Sequence, residues 1–189
     1  MITVNAPLDR IAELAGISIA FEVKSVMDVR PAGEGRFQLL ERELPTPWTK
    51  DYDAIAGNRP ADWLREFDTR NWGLILAEAE SAVWGAALLA FDTPGVEMLE
   101  GRRDLAVLWD LRVKPDRRGR GVGGSLFRAA EAWARFRGAS ELKVETQDIN
   151  VPAVKFYLKL GCQLRRAIPG AYEGCPDEVK LLFYKALGA

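Results

Sequence analysis

A glycine-rich segment gives the sequence its most specific chemical feature. Residues Lys114–Ser125 spell K-P-D-R-R-G-R-G-V-G-G-S. Glycines let backbone amides approach an anion closely, because no side chain stands in the way. A helix predicted to begin directly afterwards adds free N–H groups and the positive end of its dipole, and Arg118 and Arg120 add charge-assisted contacts. The segment therefore predicts a site for a phosphate or pyrophosphate group.

The same segment is compatible with other ligands when it is taken alone. Gly119, Gly121 and Gly124 also satisfy G-x-G-x-x-G, the dinucleotide fingerprint. That fingerprint should open the first βαβ unit of a mainly parallel sheet, whereas here it follows several strands with a hairpin pattern. A plain glycine-rich turn with solvated arginines is a further alternative. The loop by itself does not decide among them.

A second motif follows downstream, at Asn150–Gly161. Asn150 is a suitable N-cap and Gly161 a suitable helix terminator, with an apolar face between them. The two motifs together resemble the GNAT acyltransferase superfamily. Its acyl-CoA motif, Arg/Gln-x-x-Gly-x-Gly/Ala, is matched by Arg118–Gly123. A further motif, N-x-x-A-x-x-F-Y-x-K-x-G, is matched by Asn150–Gly161.

The resemblance covers about Trp72–Leu187, and in the cofactor half it is similar to the streptothricin acetyltransferase branch of the family. One departure is Cys162, which stands where the family typically has an aromatic residue. The resemblance implies acetyl-CoA as co-substrate, no metal, and direct attack of a substrate amine on the thioester. It implies cofactor contacts, through backbone amides or side chains, from Leu111, Arg112, Val113, Arg118, Gly119, Arg120, Gly121, Val122, Gly123, Gly124, Ser125, Asn150, Ala153, Phe156 and Tyr157.

Tyr157 is the predicted general acid for the departing thiolate. A phenol has an unperturbed pKa of about 10, against about 8.5 for a cysteine-like thiol, so a neutral tyrosine can donate a proton to a nascent thiolate. The alternative is that Tyr157 is an aromatic residue of the helix core.

Because the chain contains no histidine, the base that accepts the amine proton is a carboxylate or a water chain, or there is no specific base. Asp110 and Glu145 are the candidates, at the ends of two strands that the resemblance predicts to splay apart. Each could instead be a structural partner, for Arg112 or Lys143. Glu78 is a third candidate.

Composition limits the class of protein. The 189 residues carry a net charge of −1, which argues against a general nucleic-acid or membrane-surface binder. The two cysteines cannot build a disulfide framework or a structural zinc site. Met1–Arg10 shows no signal-peptide pattern, so we expect a cytoplasmic location. The expected partner is a small-molecule amine, with no nucleic acid and no membrane. A homodimer is compatible with the resemblance, because dimers are common in the family.

Hydrophobic patterning predicts the elements that position these groups. Strands are expected at Ile17–Val29, Trp72–Ala79, Ala82–Asp92, Leu105–Val113, Glu141–Gln147, Gln163–Ala167 and Val179–Leu187, and helices at Pro60–Phe67, after Gly121 and after Asn150. Pro31–Lys50, with its prolines and glycines, is predicted to be mostly loop, and Asn58 is a candidate cap.

The predicted fold is therefore α/β (α+β): a mixed, mostly antiparallel sheet of about seven strands with helices on both faces. The resemblance adds a splayed pair of parallel central strands. We expect one domain over residues 1–189, with a variable acceptor-side part at 1–70 and an acyl-CoA-binding core at 105–162.

Three classes of function stay open from the sequence. The first is an N-acetyltransferase acting on a small molecule or on a protein N-terminus or lysine. The second is a non-catalytic acyl-CoA-binding module. The third is an anion- or RNA-binding protein that uses the arginine cluster.

Overall fold

A computed structural model describes residues 1–188 of the chain, which form two compact units. The first unit contains Met1–Ile19, Asp51–Leu142 and the chain from Ala186 onward, and the second contains Ala20–Lys50 and Lys143–Lys185. The strands are β1 Ile2–Ala6, β2 Phe21–Pro31, β3 Phe37–Lys50, β4 Gly73–Ala79, β5 Ala82–Phe91, β6 Leu105–Val113, β7 Glu141–Gln147, β8 Gln163–Pro169 and β9 Val179–Ala186. The α-helices are α1 Ile11–Ala15, α2 Pro60–Glu66, α3 Val122–Phe136 and α4 Val151–Lys159.

The first unit is built on four antiparallel strands in the order β1-β4-β5-β6. β4 and β5 form the predicted hairpin. Their two-residue turn, Glu80–Ser81, has positive φ at both positions (53° and 60°), as a turn that matches the twist of a hairpin requires. Strand β1 was not predicted, because Ile2–Ala6 is too short to show a clear pattern. Among the described residues it lies at the edge of the sheet and pairs with β4.

The core of the first unit lies where α1 and α2 pack beside the sheet. Trp63 and Trp72 are buried there. Trp109 packs edge-on against Trp63 and at a tilt against Trp72, with ring centroids 6.1 and 5.0 Å away. Burial of such large aromatic side chains is a major favourable term in folding. Trp63 is therefore a core residue, and its packing explains why the short α2 forms where predicted.

The prediction of a loop at Pro31–Lys50 is wrong, because β2 and β3 form a long antiparallel ribbon in the second unit. Gly33 and Gly35 supply only the tight turn between the strands, with φ of 79° and 70°. Pro45 and Pro47 lie where the register shifts, since Val23 pairs with Trp48 but Ser25 pairs with Glu43. Proline lacks an N–H for the ladder, and such a bulge tolerates it.

The remainder of the second unit contains most of β7 and the run β7-β9-β8, with helix α4 between β7 and β8 in the chain. The predicted cap of α4 is confirmed: Asn150 Oδ1 accepts the Ala153 N–H at 3.2 Å. The other candidate cap, Asn58, is wrong. Its Nδ2 donates to the Tyr52 carbonyl, and Arg59 occupies the N-cap position of α2.

The seven strands of the two runs, mostly antiparallel and combined with helices, confirm the predicted mixed α/β fold. Among residues 1–188, no helix is long and apolar enough to cross a membrane. The single-domain interpretation and its internal boundaries stay predictions.

Candidate active site

Strand β6 carries an irregularity next to the residues that matter most for the predicted chemistry. Leu88 of β5 pairs with Asp110, but Leu89 pairs with Leu108, so Trp109 is an extra residue in the ladder. A bulge of this kind bends the strand and interrupts pairing, and such features are over-represented next to active sites. Beyond it, Leu111 and Val113 are half-buried while Asp110 and Arg112 are buried, as the alternation of a strand predicts.

The side chains of Asp110 and Arg112 form a buried charged cluster with Asp53. Arg112 Nε donates to Asp110 Oδ2 at 2.8 Å, and its two terminal nitrogens donate to the Asp53 carboxylate at 2.6 and 2.8 Å. Nη1 also donates to the Ile17 carbonyl at 3.1 Å. The Arg112 side chain is fully buried, so all its polar contacts hold the protein itself together. A cofactor contact from Arg112 is therefore proposed for its backbone alone.

Burial raises the pKa of Asp110 to about 6, against the opposing effect of Arg112. The second carboxylate of the cluster, Asp53, adds to the rise. Two carboxylates share one guanidinium here, so the cluster carries one excess negative charge when both are ionised, with Asp53 partly exposed and Asp110 buried. The contacts of Asp110 therefore agree with the alternative interpretation, in which Asp110 is a structural partner of Arg112.

The glycine-rich loop runs from the end of β6 into α3, as predicted. Gly119 and Gly121 have φ of 72° and 83°, in the left-handed region that residues with a side chain rarely adopt, so both positions need glycine. Ser125 N–H donates to the Gly121 carbonyl at 3.0 Å, which begins the hydrogen bonding of the helix. The N–H groups of Val122, Gly123 and Gly124 lie in the first turn of the helix, where an anion can accept their hydrogen bonds.

Arg118 stabilises this loop through its own side chain. Nε donates to the Val113 carbonyl at 3.1 Å and Nη2 donates to the Ser18 carbonyl at 3.0 Å. Burial lowers the pKa of Arg118 relative to an ordinary arginine. In this conformation Arg118 ties the loop to the end of β6. Arg120, like Arg118, is an exposed residue. Ser125 Oγ accepts from Arg128 Nη2 at 3.2 Å.

Helix α4 presents the second motif in the other unit. Its side chains Val151, Val154 and Tyr157 are buried. Tyr157 packs between aromatic neighbours, with ring centroids 5.2 Å from Phe156 and 6.2 Å from Phe183. Ala153 and Phe156 are half-buried on the same helix. The ring of Tyr157 thus has a core role, and this is compatible with a chemical role for its hydroxyl.

Glu145 lies in a polar group that the sequence did not predict. The Tyr172 hydroxyl donates to Glu145 Oε1 at 2.8 Å and accepts from Gln147 Nε2 at 3.1 Å. The Lys180 ammonium is 3.6 Å from Glu145 Oε2. Glu145 therefore pairs with Tyr172 and Lys180, and not with Lys143 as the structural alternative predicted. Lys143 lies 5.5 Å from the centre of the Tyr184 ring.

The third candidate base, Glu78, is engaged elsewhere. Arg10 Nη2 donates to Glu78 Oε1 at 2.9 Å, and this pairing joins β4 to the segment that follows β1. An ion pair of this kind explains Glu78 without any catalytic role.

Two residues of these clusters were missed by sequence reasoning. Asp53 lies 59 residues before Arg112, and Tyr172 lies 27 residues after Glu145. Neither belongs to a motif, and both precede or follow loops whose path is set by the tertiary structure. The only sequence signal was general: a buried arginine or an acidic residue in a strand needs a polar partner.

The model of the acetyltransferase (GNAT) family matches residues 35–162, which is more than half of the chain. This chain belongs to the GNAT acetyltransferase family. The match includes the glycine-rich loop, helix α4, and the helix α3 and strand β7 between them.

Curated relatives agree with this assignment. The chain is 26% identical over 177 residues to a streptothricin acetyltransferase of Streptomyces lavendulae, covering 92% of this chain and 87% of the relative. It is 30% identical over 156 residues to a streptothricin acetyltransferase of Escherichia coli, covering 82% and 78%.

Solved structures show the same fold. A nourseothricin acetyltransferase superposes with a TM-score of 0.75 at 22% identity, covering 98% of both chains. A streptothricin acetyltransferase described from Bacillus anthracis, in complex with acetyl coenzyme A, superposes with a TM-score of 0.77 at 21% identity, also covering 98% of both chains. The family model and the two curated relatives, together with this shared fold, confirm the predicted resemblance to the streptothricin acetyltransferase branch.

Proposed function

We propose that this acetyltransferase moves an acetyl group from acetyl-CoA to a primary amine of a small molecule by direct attack. The observation that carries the proposal is the loop Arg118–Gly124. It places two obligatory glycines and the first turn of a 15-residue helix in sequence after a bulged strand. These amides suit the pyrophosphate of a coenzyme A, which the relative from Bacillus anthracis binds in its acetylated form.

In the proposed reaction, the amine nitrogen attacks the thioester carbonyl, the C–N bond forms and the C–S bond breaks. Backbone amides of Leu111–Val113 polarise the carbonyl oxygen, in an oxyanion-hole role. Tyr157 gives its proton to the coenzyme A thiolate and recovers one from solvent. Asn150, which caps α4 through Oδ1, offers its Nδ2 group to the pantetheine arm.

The amine must lose a proton for the product amide to form. Asp110 and Glu145 are both retained as candidate acceptors of that proton. The contacts favour Glu145, because Asp110 is buried and bonded to Arg112, whereas the Glu145 side chain is 24% exposed. A base has to reach the proton that it removes, so partial exposure is an advantage.

We further propose that the acceptor is a streptothricin-type antibiotic amine. The support is the likeness to streptothricin acetyltransferases over most of both chains. The likeness extends into the first 70 residues, the part of the chain that we propose to contact the acceptor. A protein N-terminus or lysine is the competing acceptor.

The test is a thiol-release assay with acetyl-CoA and a panel that contains streptothricin, simple polyamines and peptides with free N-termini. We expect wild-type turnover with streptothricin and little with peptides. Tyr157→Phe should lower kcat by about tenfold to a hundredfold, because the phenol proton is lost while the ring packing is kept. Turnover with peptides alone would contradict the acceptor, and binding of acetyl-CoA without turnover on any amine would indicate a binding module.

A further inference from the structure

The loop between β8 and β9 carries a tyrosine whose hydroxyl connects two side chains of β7. Tyr172 donates to Glu145 Oε1 at 2.8 Å and accepts from Gln147 Nε2 at 3.1 Å. An ionised carboxylate can only accept hydrogen bonds, so the phenol must give its single proton to Glu145. The Gln147 amide must then donate to the phenol oxygen. The three side chains form a chain of donors that ends at one oxygen of Glu145.

The phenol stays a donor over the pH range in which the carboxylate is ionised. Burial raises the pKa of Tyr172 far above its ordinary value, and the negative charge of Glu145 raises it further. Glu178, in the same loop region, acts in the same direction. A neutral phenol beside a carboxylate stabilises the charged form of that carboxylate, and so favours its ionisation.

The second oxygen of Glu145 faces a cation. Lys180 Nζ is 3.6 Å from Oε2, which is an ion pair but beyond hydrogen-bond distance. The same ammonium lies 5.0 Å from the centre of the Tyr172 ring, within the range of a cation–π contact. A carboxylate oxygen and an aromatic ring thus hold an ammonium group at this place. Both Glu145 and Lys180 are about a quarter exposed, so a ligand from solvent can reach them.

We propose that Tyr172 is the positioning residue for Glu145 in acetyl transfer, and that the ammonium group of the acceptor binds at Glu145 Oε2 in competition with Lys180. This rests on the proposed function. Tyr172 fixes the carboxylate through Oε1, so that Oε2 is directed at the amine. The bound ammonium first gives one proton to Oε2, which passes it to solvent, and the resulting neutral amine attacks the thioester. As the C–N bond forms and the C–S bond breaks, the second proton of the amine passes to Oε2, and the thiolate receives its proton from Tyr157, which recovers one from solvent.

Tyr172→Phe tests the hydroxyl while keeping the ring. The variant removes the one hydrogen bond that Tyr172 donates to Glu145, a bond that stabilises a carboxylate. We expect kcat/KM for the acceptor to fall about tenfold at neutral pH, and the acid limb of its pH profile to move up by about one pH unit. The KM for acetyl-CoA should stay within about twofold, since charge-assisted hydrogen bonding is lost only at Glu145. The matched control is Tyr184→Phe, a buried tyrosine of β9 whose ring lies against Arg165 at 4.8 Å, and it should leave the acid limb in place.

Two further variants separate positioning from a loss of folding. Gln147→Leu removes only the donor to the phenol, so the acid limb should move in the same direction by a smaller amount. Lys180→Met removes the competing ammonium, so at pH 8 the acceptor KM should fall while the acetyl-CoA KM is unchanged. Thermal melting of each variant shows whether it is folded under the assay conditions.

The outcomes are distinct. An upward shift of the acid limb in Tyr172→Phe and Gln147→Leu, with a lower acceptor KM in Lys180→Met, supports the inference. If the wild type is active but the acid limb of the pH profile does not move in either Tyr172→Phe or Gln147→Leu, the positioning role alone is overturned. An unchanged or higher acceptor KM in Lys180→Met overturns the ammonium site. A wild type that releases no thiol with any amine overturns the proposed function and this inference with it.

Discussion

Arg112 holds the carboxylates of Asp110 and Asp53 in one ion-paired cluster. Its fully buried guanidinium is held by Asp110, by both oxygens of Asp53 and by the Ile17 carbonyl. Arginine is rarely buried unless it is paired, and here every contact is made by the protein. The cluster joins β6, next to the proposed oxyanion-stabilising amides, to two segments of the proposed acceptor-side part. Its integrity should therefore matter to both stability and catalysis.

Replacing this arginine should be severely destabilising. In Arg112→Met, Asp53 would lose its partner and Asp110 would have to take up a proton or stay charged in the core, and breaking a buried ion pair in this way costs about 3–5 kcal/mol. Urea unfolding measures the loss. Arg103→Met is the control, because Arg103 is 85% exposed where it pairs with Asp92, and such pairs contribute about 0–1 kcal/mol. Equal, small losses in both variants would contradict the structural importance of the cluster.

The raised pKa of Asp110 makes a directional prediction about pH. Its pKa is about 6 in the folded chain against 3.8 for the ordinary group. Between these values the folded state binds more protons than the unfolded state, so the stability contribution of Asp110 is greatest below pH 4 and is lost as the pH rises to 6. The free energy of unfolding of wild type, relative to Asp110→Asn, should fall by about 2–3 kcal/mol across this window.

The measurement is urea unfolding of both proteins at several pH values from 4 to 7. Taking the difference removes other carboxylates such as Asp104, whose pKa lies below its usual range because of Arg102. A difference that stays flat, or that grows with rising pH, would show that Asp110 is ionised throughout.

The contacts of a side chain could be predicted when its partner lies a few residues away in the sequence. The pairing of Asp110 with Arg112 was foreseen as an alternative, because residues i and i+2 share one face of a strand. The cap Asn150 was foreseen because its partner is three residues away. Asp53 and Tyr172 could not be foreseen, because their positions depend on how distant loops pack.

At the level of secondary structure, the contact between β5, β6 and α3 sets the position of the glycine-rich loop. Gly85 of β5 pairs with Val113 at the end of β6. A methyl group at Gly85 would lie 2.8 Å from the Arg112 carbonyl oxygen, 3.0 Å from Leu126 and 3.1 Å from Val122. The close approach of strand and helix therefore depends on the absence of a side chain there.

Gly85→Ala should displace the start of α3 from the sheet. Overpacking of this kind costs about 1–3 kcal/mol, and the displaced helix should also bind acetyl-CoA several-fold more weakly. Thermal melting and calorimetric titration measure the two effects. Gly124→Ala is the control for stability, because its added methyl group would meet only Arg128 Nη1, at 3.5 Å. If Gly85→Ala melted and bound like wild type, the close packing would not be what positions the loop.

Element prediction succeeded where the pattern was continuous. β6 and β7 were predicted with the bounds that the structure has, because both are apolar or alternating runs between clear breakers. β3 was missed because prolines and glycines were taken as evidence of loop, although one pair makes a hairpin turn and the other occupies a bulge. Local composition does not reveal such a placement; it requires the register of the partner strand.

For the chain as a whole, family membership and fold are shown, and the acceptor is proposed. The near-neutral net charge of −1 fits a small-molecule enzyme better than a nucleic-acid binder. The sequence could predict the cofactor half because the loop and the α4 motif are short, local patterns that a resemblance can match. It could not predict the acceptor, because the side chains that we propose to contact it, such as those around Glu145, belong to no motif.

Binding of acetyl-CoA tests the central claim most directly. At a concentration about 100 times its Kd, a ligand that binds only the folded chain stabilises it by about 2.7 kcal/mol, which for a chain of this size raises Tm by about 5–10 °C. We predict such a shift with acetyl-CoA, none with NAD⁺, and a reduced shift in Gly121→Ala, whose backbone is strained at φ of 83°. No shift with acetyl-CoA, or an equal shift with NAD⁺, would contradict the account.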